Sequence, residues 1–138
     1  MNVVITGGNR GIGLALVKHY VSQGHHVYAT CRNSCDDLNV SGATVVIGVD
    51  VSKPEFLPDA LAPLANVSID LLINNAGVAG PTAPIEKIDS DEWRRTIDIN
   101  LNSHFYCLKR AVPLLKRSED ASIINLSSVA GRLGMRFR

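Results

Sequence analysis

The sequence lacks the features that mark several large classes of protein. Its 138 residues carry 14 Lys and Arg against 13 Asp and Glu, a balance that predicts no polyanionic partner such as nucleic acid. No apolar run approaches the roughly 20 residues needed to cross a membrane, and no signal-peptide pattern opens the chain. The three cysteines have no Cys-x-x-Cys spacing, which favours free thiols in a cytoplasmic protein. The four histidines show no metal-ligand spacing, so no metal is expected.

Short apolar runs alternate along the chain with longer helical patterns. Runs that are apolar on both faces suit parallel strands that helices cover on both sides. Because strand–helix–strand units cross over with right-handed connections, the alternation predicts one α/β domain with a doubly wound parallel sheet. The predicted strands are residues 3–5, 26–30, 43–49, 69–73 and 122–126.

Two helical segments show specific patterns. After the third strand, residues 52–55 fit a capping box with proline inside the first turn, but Pro58 and Pro63 require that helix to be short or broken. The longest helix is predicted over residues 91–117, because acidic residues open it and basic residues close it, as the helix dipole favours. Its predicted apolar side consists of Trp93, Ile97, Leu101, Leu108 and Leu115.

A glycine-rich segment, Thr6-Gly7-Gly8-Asn9-Arg10-Gly11-Ile12-Gly13, lies between the first strand and the first helix. Glycines at such a position permit a tight turn, close approach of the backbone to a pyrophosphate, and close packing of the helix on the sheet. The free N–H groups at the start of the helix then bind phosphate. Ordinary strand-to-helix turns also use glycine, but the strand before and the amphipathic helix after this segment favour a nucleotide site.

The spacing Thr-Gly-x-x-x-Gly-x-Gly resembles the glycine motif of the short-chain dehydrogenase/reductase family. Further stretches match that family in sequence order over the whole chain: Asp50-Val51, Asn74-Asn75-Ala76-Gly77, Asn100 and Asn125-Leu126-Ser127-Ser128. The loop, together with the sequence Ala-Thr-Cys-Arg-Asn after the second strand, looks like the carbonyl-reductase-like or C-factor-like branch. The resemblance implies that residues 1–138 form an NAD(P)-binding Rossmann domain with strand order 3-2-1-4-5. It also implies that this domain is incomplete at its C-terminal end, since the family continues with more helices and strands.

The resemblance implies an oxidoreductase that transfers hydride between the cofactor and a carbonyl or secondary alcohol. The pyrophosphate would lie against the glycine loop, the adenine against Asp50 and Val51, and the ribose and nicotinamide against the loop after the fourth strand. By itself, Asn-Asn-Ala-Gly would equally be an ordinary turn after a buried strand. The implied cofactor-binding residues are Gly7, Asn9, Arg10, Gly11, Ile12, Gly13, Arg32, Asp50, Val51, Asn75, Ala76 and Gly77.

The end of the second strand favours NADP(H) over NAD(H). An NAD site places a carboxylate there for the ribose 2′-hydroxyl, whereas an NADP site places an arginine near the 2′-phosphate. Here Cys31 and Arg32 take that position, and Arg10 in the glycine loop is close enough in such a fold to reach the same phosphate. The alternative is that both arginines are solvated surface residues.

The catalytic residues that the resemblance implies are present only in part. In the family a serine contacts the substrate oxygen, a helix asparagine continues a proton relay, and a tyrosine with a lysine four residues later is the acid/base. Ser128 and Asn100 match the serine and the asparagine, although either alone would be an ordinary polar residue. No Tyr-x-x-x-Lys occurs among the 138 residues, so the chain by itself is expected to be inactive.

Three hypotheses follow for the chain itself. It is the N-terminal portion of an NADP-dependent oxidoreductase, a non-catalytic NADP(H)-binding module, or an unstable fragment in which the fifth strand is an exposed edge. A small-molecule substrate and a homo-oligomer are expected only of a full-length form. The substrate is not readable, because the loop that would shape its pocket is not in the sequence. Residues 135–138 show neither turn nor helical patterning.

Overall fold

The computed structural model describes residues 1–133, so the predicted lack of pattern over residues 135–138 lies outside the described residues. All strand pairs in the sheet are parallel. Along the sheet the strands follow the order β3-β2-β1-β4-β5, which confirms the predicted doubly wound sheet and its 3-2-1-4-5 order. The strands are β1 Asn2–Thr6, β2 His26–Thr30, β3 Thr44–Val46, β4 Leu71–Asn74 and β5 Ser122–Asn125.

Helices connect the strands and cover both faces of the sheet. They are α1 Gly11–Ser22, α2 Asp36–Asn39, α3 Leu57–Ala60, α4 Ser90–Ile97 and α5 Ser103–Leu115. Short 3₁₀ turns are formed by Ala62–Leu64, Ile85–Lys87 and Val129–Gly131. No helix within residues 1–133 is long and apolar enough to cross a membrane.

The core consists of two layers, one on each face of the sheet. Because successive side chains of a strand point to opposite faces, Val3 and Ile5 pack in the layer beside α1, and Val4 packs in the layer beside α5. We call these layers the α1-side core and the α5-side core. Burial on both faces explains why the central strands are continuously apolar rather than alternating.

The long helix has about the predicted extent, but its predicted apolar side is only partly buried. A π-helical segment, Asp98–Asn102, joins α4 to α5 without a break. Of the predicted apolar side, Trp93 and Leu101 are 56% and 62% exposed, whereas Leu115 is buried. A π turn adds a residue to the helical repeat, so the phase of the first half does not continue into the second. The buried residues of the π segment and α5 are Ile99, Ser103, Cys107, Ala111 and Leu115.

The predicted capping box after the third strand is also wrong. Helix α3 begins at Leu57, after Phe56 as N-cap, and the proline in its first turn is Pro58. The Ser52 hydroxyl instead donates to Oδ1 of Asp50 at 2.7 Å, and the Ser52 N–H donates to the same oxygen at 3.1 Å. The prediction of a short or broken helix is confirmed, because α3 has 4 residues.

Strand β5 lies at one end of the sheet and, among residues 1–133, pairs only with β4. Ile123 and Ile124 are 45% and 44% exposed. The expectation of an exposed edge with apolar side chains is therefore confirmed for the described part of the chain.

Candidate functional site

A cleft of about 850 Å³ runs along the carboxyl ends of the strands. In open α/β sheets, ligands bind in this crevice where the strand order reverses, which here is between β1 and β4. All the residues that the sequence suggested line this one cleft, although their individual roles remain predictions. They are Gly7, Asn9, Arg10, Gly11, Ile12, Gly13, Arg32, Asp50, Val51, Asn75, Ala76, Gly77, Asn100 and Ser128.

The glycine loop packs directly on the loop that follows β4. A Cβ atom at Gly13 would overlap the carbonyl oxygen of Gly7 and the side chain of Asn75, so only glycine fits there. Gly11 has φ 54°, in the left-handed region that favours glycine. A Cβ at Gly11 would meet nothing within 4 Å, so the start of α1 leaves open space in the cleft.

Thr6, at the end of β1, holds the loop after β4 in place. Its Oγ1 accepts the backbone N–H groups of Asn75 and Ala76, both at 3.0 Å. The Asn75 side chain donates to the carbonyl of Thr6 at 2.8 Å and to that of Gly7 at 3.1 Å. The sequence reasoning did not assign Thr6 to the site, although it is the first residue of the glycine motif.

Asn9 connects the glycine loop to the loop after β2. Its Nδ2 donates to the carbonyl of Asn33 at 2.9 Å, and its own carbonyl accepts from the Cys35 thiol at 3.0 Å. Arg10 and Arg32, which neighbour these loops in the chain, both line the cleft and are both exposed.

Two titratable groups beside these arginines have shifted pKa values. Burial, with a smaller contribution from nearby Cys35, raises the pKa of the Cys31 thiol, so this position holds a neutral group. Burial of Asp50 acts to raise its pKa, but the two hydrogen bonds from Ser52 and the charges of Arg32 and Lys53 outweigh it. The pKa of Asp50 is therefore below its usual value, and its carboxylate is ionised at neutral pH.

The other end of the cleft holds Asn100 and Ser128. Asn100 lies in the π segment, and its side chain bonds to the backbone of Val78 in the loop after β4. Ser128 is exposed at the end of β5, and its Oγ accepts the N–H of Ala130 at 3.2 Å. His104 also lines this end, and burial lowers its pKa; the sequence reasoning did not single it out for the cleft.

No group of three or more His, Cys, Asp or Glu side chains within residues 1–133 is arranged to hold a metal ion. The polar lining consists of asparagines, serines, arginines, backbone groups of the glycine loop, and the side chains of Cys31, Asp50 and His104. Within it, the arginines and the N–H groups at the start of α1 can donate hydrogen bonds to an organic anion.

Comparison with known proteins agrees with the fold. The family described as short chain dehydrogenase matches residues 1–138. The chain belongs to the short-chain dehydrogenase family. The family is named for dehydrogenases, and one similar protein, 4-hydroxyisoleucine dehydrogenase, was solved in complex with NADH.

Comparison with individual relatives shows what fraction of their length the chain spans. It is 35% identical over 139 residues to 2-dehydro-3-deoxy-L-rhamnonate dehydrogenase (NAD(+)) from Sphingomonas sp. (strain SKA58), and the match covers 95% of this chain and 55% of that protein. Serine dehydrogenase from Escherichia coli superimposes with a TM-score of 0.85 at 29% identity, covering 99% of this chain and 66% of that one. 4-Hydroxyisoleucine dehydrogenase complexed with NADH superimposes with a TM-score of 0.84 at 27% identity, and the match covers 99% of this chain and 60% of that one. The chain thus spans about half to two thirds of the length of these relatives.

Proposed function

We propose that residues 1–138 are the NAD(P)-binding Rossmann domain of an NADP(H)-dependent oxidoreductase, C-terminally incomplete, that acts on a carbonyl compound or a secondary alcohol. The single observation that carries the proposal is the convergence of the glycine loop, the loop after β4, Asn100 and Ser128 on one cleft at the switch point of the sheet. A structural role alone would not require these polar groups to share a cavity.

The residues present fit a dinucleotide. The close contact of Gly13 with Gly7 and Asn75 shapes the loop, and the open space at Gly11 leaves room for a pyrophosphate at the start of α1. Asp50 and Val51 would contact the adenine, and Asn75, Ala76 and Gly77 would contact the ribose and nicotinamide. When bound, the nicotinamide would supply or accept the hydride.

The charge at the end of β2 supports NADP(H) rather than NAD(H). Arg10 and Arg32 both line the cleft, and Cys31, where an NAD site would carry its carboxylate, is buried and neutral. Two guanidinium groups can bind a 2′-phosphate with charge-assisted hydrogen bonds. One relative is named for NAD(+) and another was solved with NADH, so this preference distinguishes the present chain from them.

At the other end of the cleft, Ser128 would donate its hydroxyl hydrogen to the substrate oxygen. Its Oγ accepts the N–H of Ala130, which leaves the hydroxyl hydrogen available. Asn100 would fix the loop beside the reacting atoms. The proton itself requires an acid/base group such as the Tyr-x-x-x-Lys pair, which does not occur in the 138 residues.

We propose that the chain alone binds the cofactor without turnover. It stays a prediction that a full-length form acts on a small-molecule substrate and forms a homo-oligomer. The cytoplasmic location and the assignment to the carbonyl-reductase-like or C-factor-like branch also stay predictions. The competing hypothesis, an unstable fragment, is favoured by the exposure of Ile123 and Ile124 on β5.

The test is a titration of the purified chain with NADPH and with NADH, in which binding is measured by the fluorescence of the reduced nicotinamide. A second assay measures the oxidation of NADPH in the presence of a panel of ketones and aldehydes. We expect saturable binding, tighter for NADPH, with no oxidation above the blank. A folded chain that binds neither nucleotide would overturn the site, and tighter binding of NADH would overturn the cofactor preference. Steady turnover would overturn the predicted inactivity, and aggregation without cooperative thermal unfolding would support the unstable fragment.

A further inference from the structure

The end of the cleft that contains Asn100 and Ser128 also carries a titratable side chain, that of His104. Asn100 and His104 are four residues apart on the continuous helix formed by the π segment and α5, so they lie on the same face of that helix. The amide of Asn100 is occupied by the backbone of Val78. The imidazole of His104, by contrast, has no hydrogen bond with another residue within 1–133, so it can act on a bound ligand.

Within residues 1–133, the other titratable side chains that line the cleft lie on the far side of the switch point of the sheet. They follow β1, β2 and β3 and are Arg10, Cys31, Arg32 and Asp50. The strands on the near side, β4 and β5, contain no titratable side chain, and neither do the loops that follow them as far as residues 79 and 128. His104 is therefore the described residue whose titration changes the charge at the Asn100 end.

The charge of His104 changes just below neutral pH. Burial lowers the pKa of its imidazole below the usual value of 6.5, so the ring is neutral at physiological pH and gains a proton in mildly acidic solution. Burial is the only cause of this shift in pKa, so the titratable groups within six residues on the same helix do not contribute to it. Those groups are Asp98, Tyr106, Cys107, Lys109 and Arg110.

We propose that His104 makes the cleft discriminate between the two redox forms of the cofactor, because its protonated imidazole disfavours the positively charged nicotinamide ring of NADP⁺ relative to the uncharged ring of NADPH. This inference rests on the proposed function, since it requires the nicotinamide to lie at the end of the cleft with Asn100 and Ser128. A neutral imidazole exerts no such repulsion. The ratio of the dissociation constant for NADP⁺ to that for NADPH therefore falls as the pH rises through the pKa of His104. By linkage, bound NADP⁺ lowers the pKa of His104 relative to bound NADPH.

The test is calorimetric titration of the 138-residue chain with NADP⁺ and with freshly dissolved NADPH, at about pH 5.5 and about pH 7.5. We expect the ratio of the two dissociation constants to be at least about threefold larger at the lower pH. Both nucleotides carry the same adenine and 2′-phosphate, so the titration of those groups cancels in the ratio. In His104→Gln, which keeps a polar side chain that cannot be protonated, the ratio should be the same at both pH values. His26→Gln is the control, because it removes an exposed histidine outside the cleft and should leave the wild-type change intact.

A second measurement follows the ring signals of His104 by NMR as a function of pH in the wild-type chain, so it does not depend on the folding of a variant. We expect a lower pKa of His104 in the complex with NADP⁺ than in the complex with NADPH. Equal pKa values in the two complexes, or a pH dependence of the ratio that persists in His104→Gln, would overturn the role of His104 and leave the cofactor site standing. A folded chain that binds neither nucleotide would overturn the proposed function and this inference together.

Discussion

The side chain of Asn100 holds the backbone of Val78 through two hydrogen bonds of 2.8 Å. Its Oδ1 accepts the Val78 N–H, and its Nδ2 donates to the Val78 carbonyl. The π segment is thereby fixed to the loop after β4, at the end of the cleft that also contains Ser128. The side chain of Asn100 therefore positions this loop.

Asn100→Ala should remove both hydrogen bonds and lower the free energy of unfolding by about 1 to 2 kcal/mol, since each exposed or partly exposed bond contributes about 0.5 to 1.5 kcal/mol. Urea denaturation measures this change. Asn102→Ala is the matched control, because its side chain bonds only to Asp98 within the same helical segment and its loss should cost about 0.5 kcal/mol or less. Equal effects of the two changes would contradict a specific role for the contact with Val78.

Gly11→Asp should weaken NADPH binding by at least about 100-fold, or about 2.7 kcal/mol, because its carboxylate would face the pyrophosphate. Gly24→Asp is the control, since Gly24 also has a positive φ, 77°, and open space around its Cβ position, but lies outside the cleft. Both variants carry the same backbone strain. Fluorescence titration should separate them, and equal affinities would mean that the glycine loop does not hold the phosphates.

Arg32→Asp should shift the preference from NADPH toward NADH. A charge-assisted hydrogen bond contributes about 1.5 to 3 kcal/mol, so the ratio of the two dissociation constants should change by about tenfold to 100-fold. Arg95→Asp makes the same charge change at an exposed position of α4 outside the cleft. The ratio is measured by titrating each variant with both nucleotides, and an unchanged ratio in Arg32→Asp would place that arginine in solvent.

The stability of the chain should fall as the pH rises from about 9 to 11. Burial raises the pKa of the Cys107 thiol from 9.0 to about 11, so the folded state binds the proton more tightly than the unfolded state does. The stabilisation is fully present below pH 9 and is lost as the pH passes through this range.

For Cys107 alone, the loss between pH 8 and pH 10.5 should be about 2 kcal/mol. It is measured as the difference in free energy of unfolding between the two pH values, in the wild type and in Cys107→Ala. The cost of the substitution itself appears at both pH values and cancels. A variant with the same difference as the wild type would show that another group controls the alkaline limb.

The sequence was sufficient to predict the parallel sheet and a set of residues that line one cleft. Apolar runs located the strands but not all of their boundaries, because the predicted strands 43–49 and 69–73 are Thr44–Val46 and Leu71–Asn74. Parallel strands bring their carboxyl ends to one edge, so Gly11, Asp50, Asn75 and Ser128 line one cleft although they lie far apart in the chain. The sequence did not predict the hydrogen bonds that fix the loops around the cleft. The bonds of the Thr6 hydroxyl with the loop after β4, and of the Asn9 side chain with the Asn33 carbonyl, depend on which backbone groups come within reach after folding.

Local competition explains the predictions that were wrong. Ser52 could cap a helix or bond to Asp50, and the structure has the second arrangement. The phase of the long helix changes at Asp98–Asn102, where nothing in the residue pattern marks a π turn. Thr30 looks like an ordinary strand residue in the sequence. Whether its buried hydroxyl finds a hydrogen-bond partner depends on the folded structure, and among the described residues it finds none.

The contact between Thr6 and the loop after β4 also determines when the cofactor site can form during folding. The two hydrogen bonds to Thr6 Oγ1 join positions 69 and 70 residues apart, and contacts of such sequence separation form late because a long chain loop must close first. On a ribosome, the glycine loop would leave the exit tunnel long before its partners at residues 75 and 76. Nucleotide affinity should therefore report completion of the central sheet, and a peptide containing only β1 and α1 should show none.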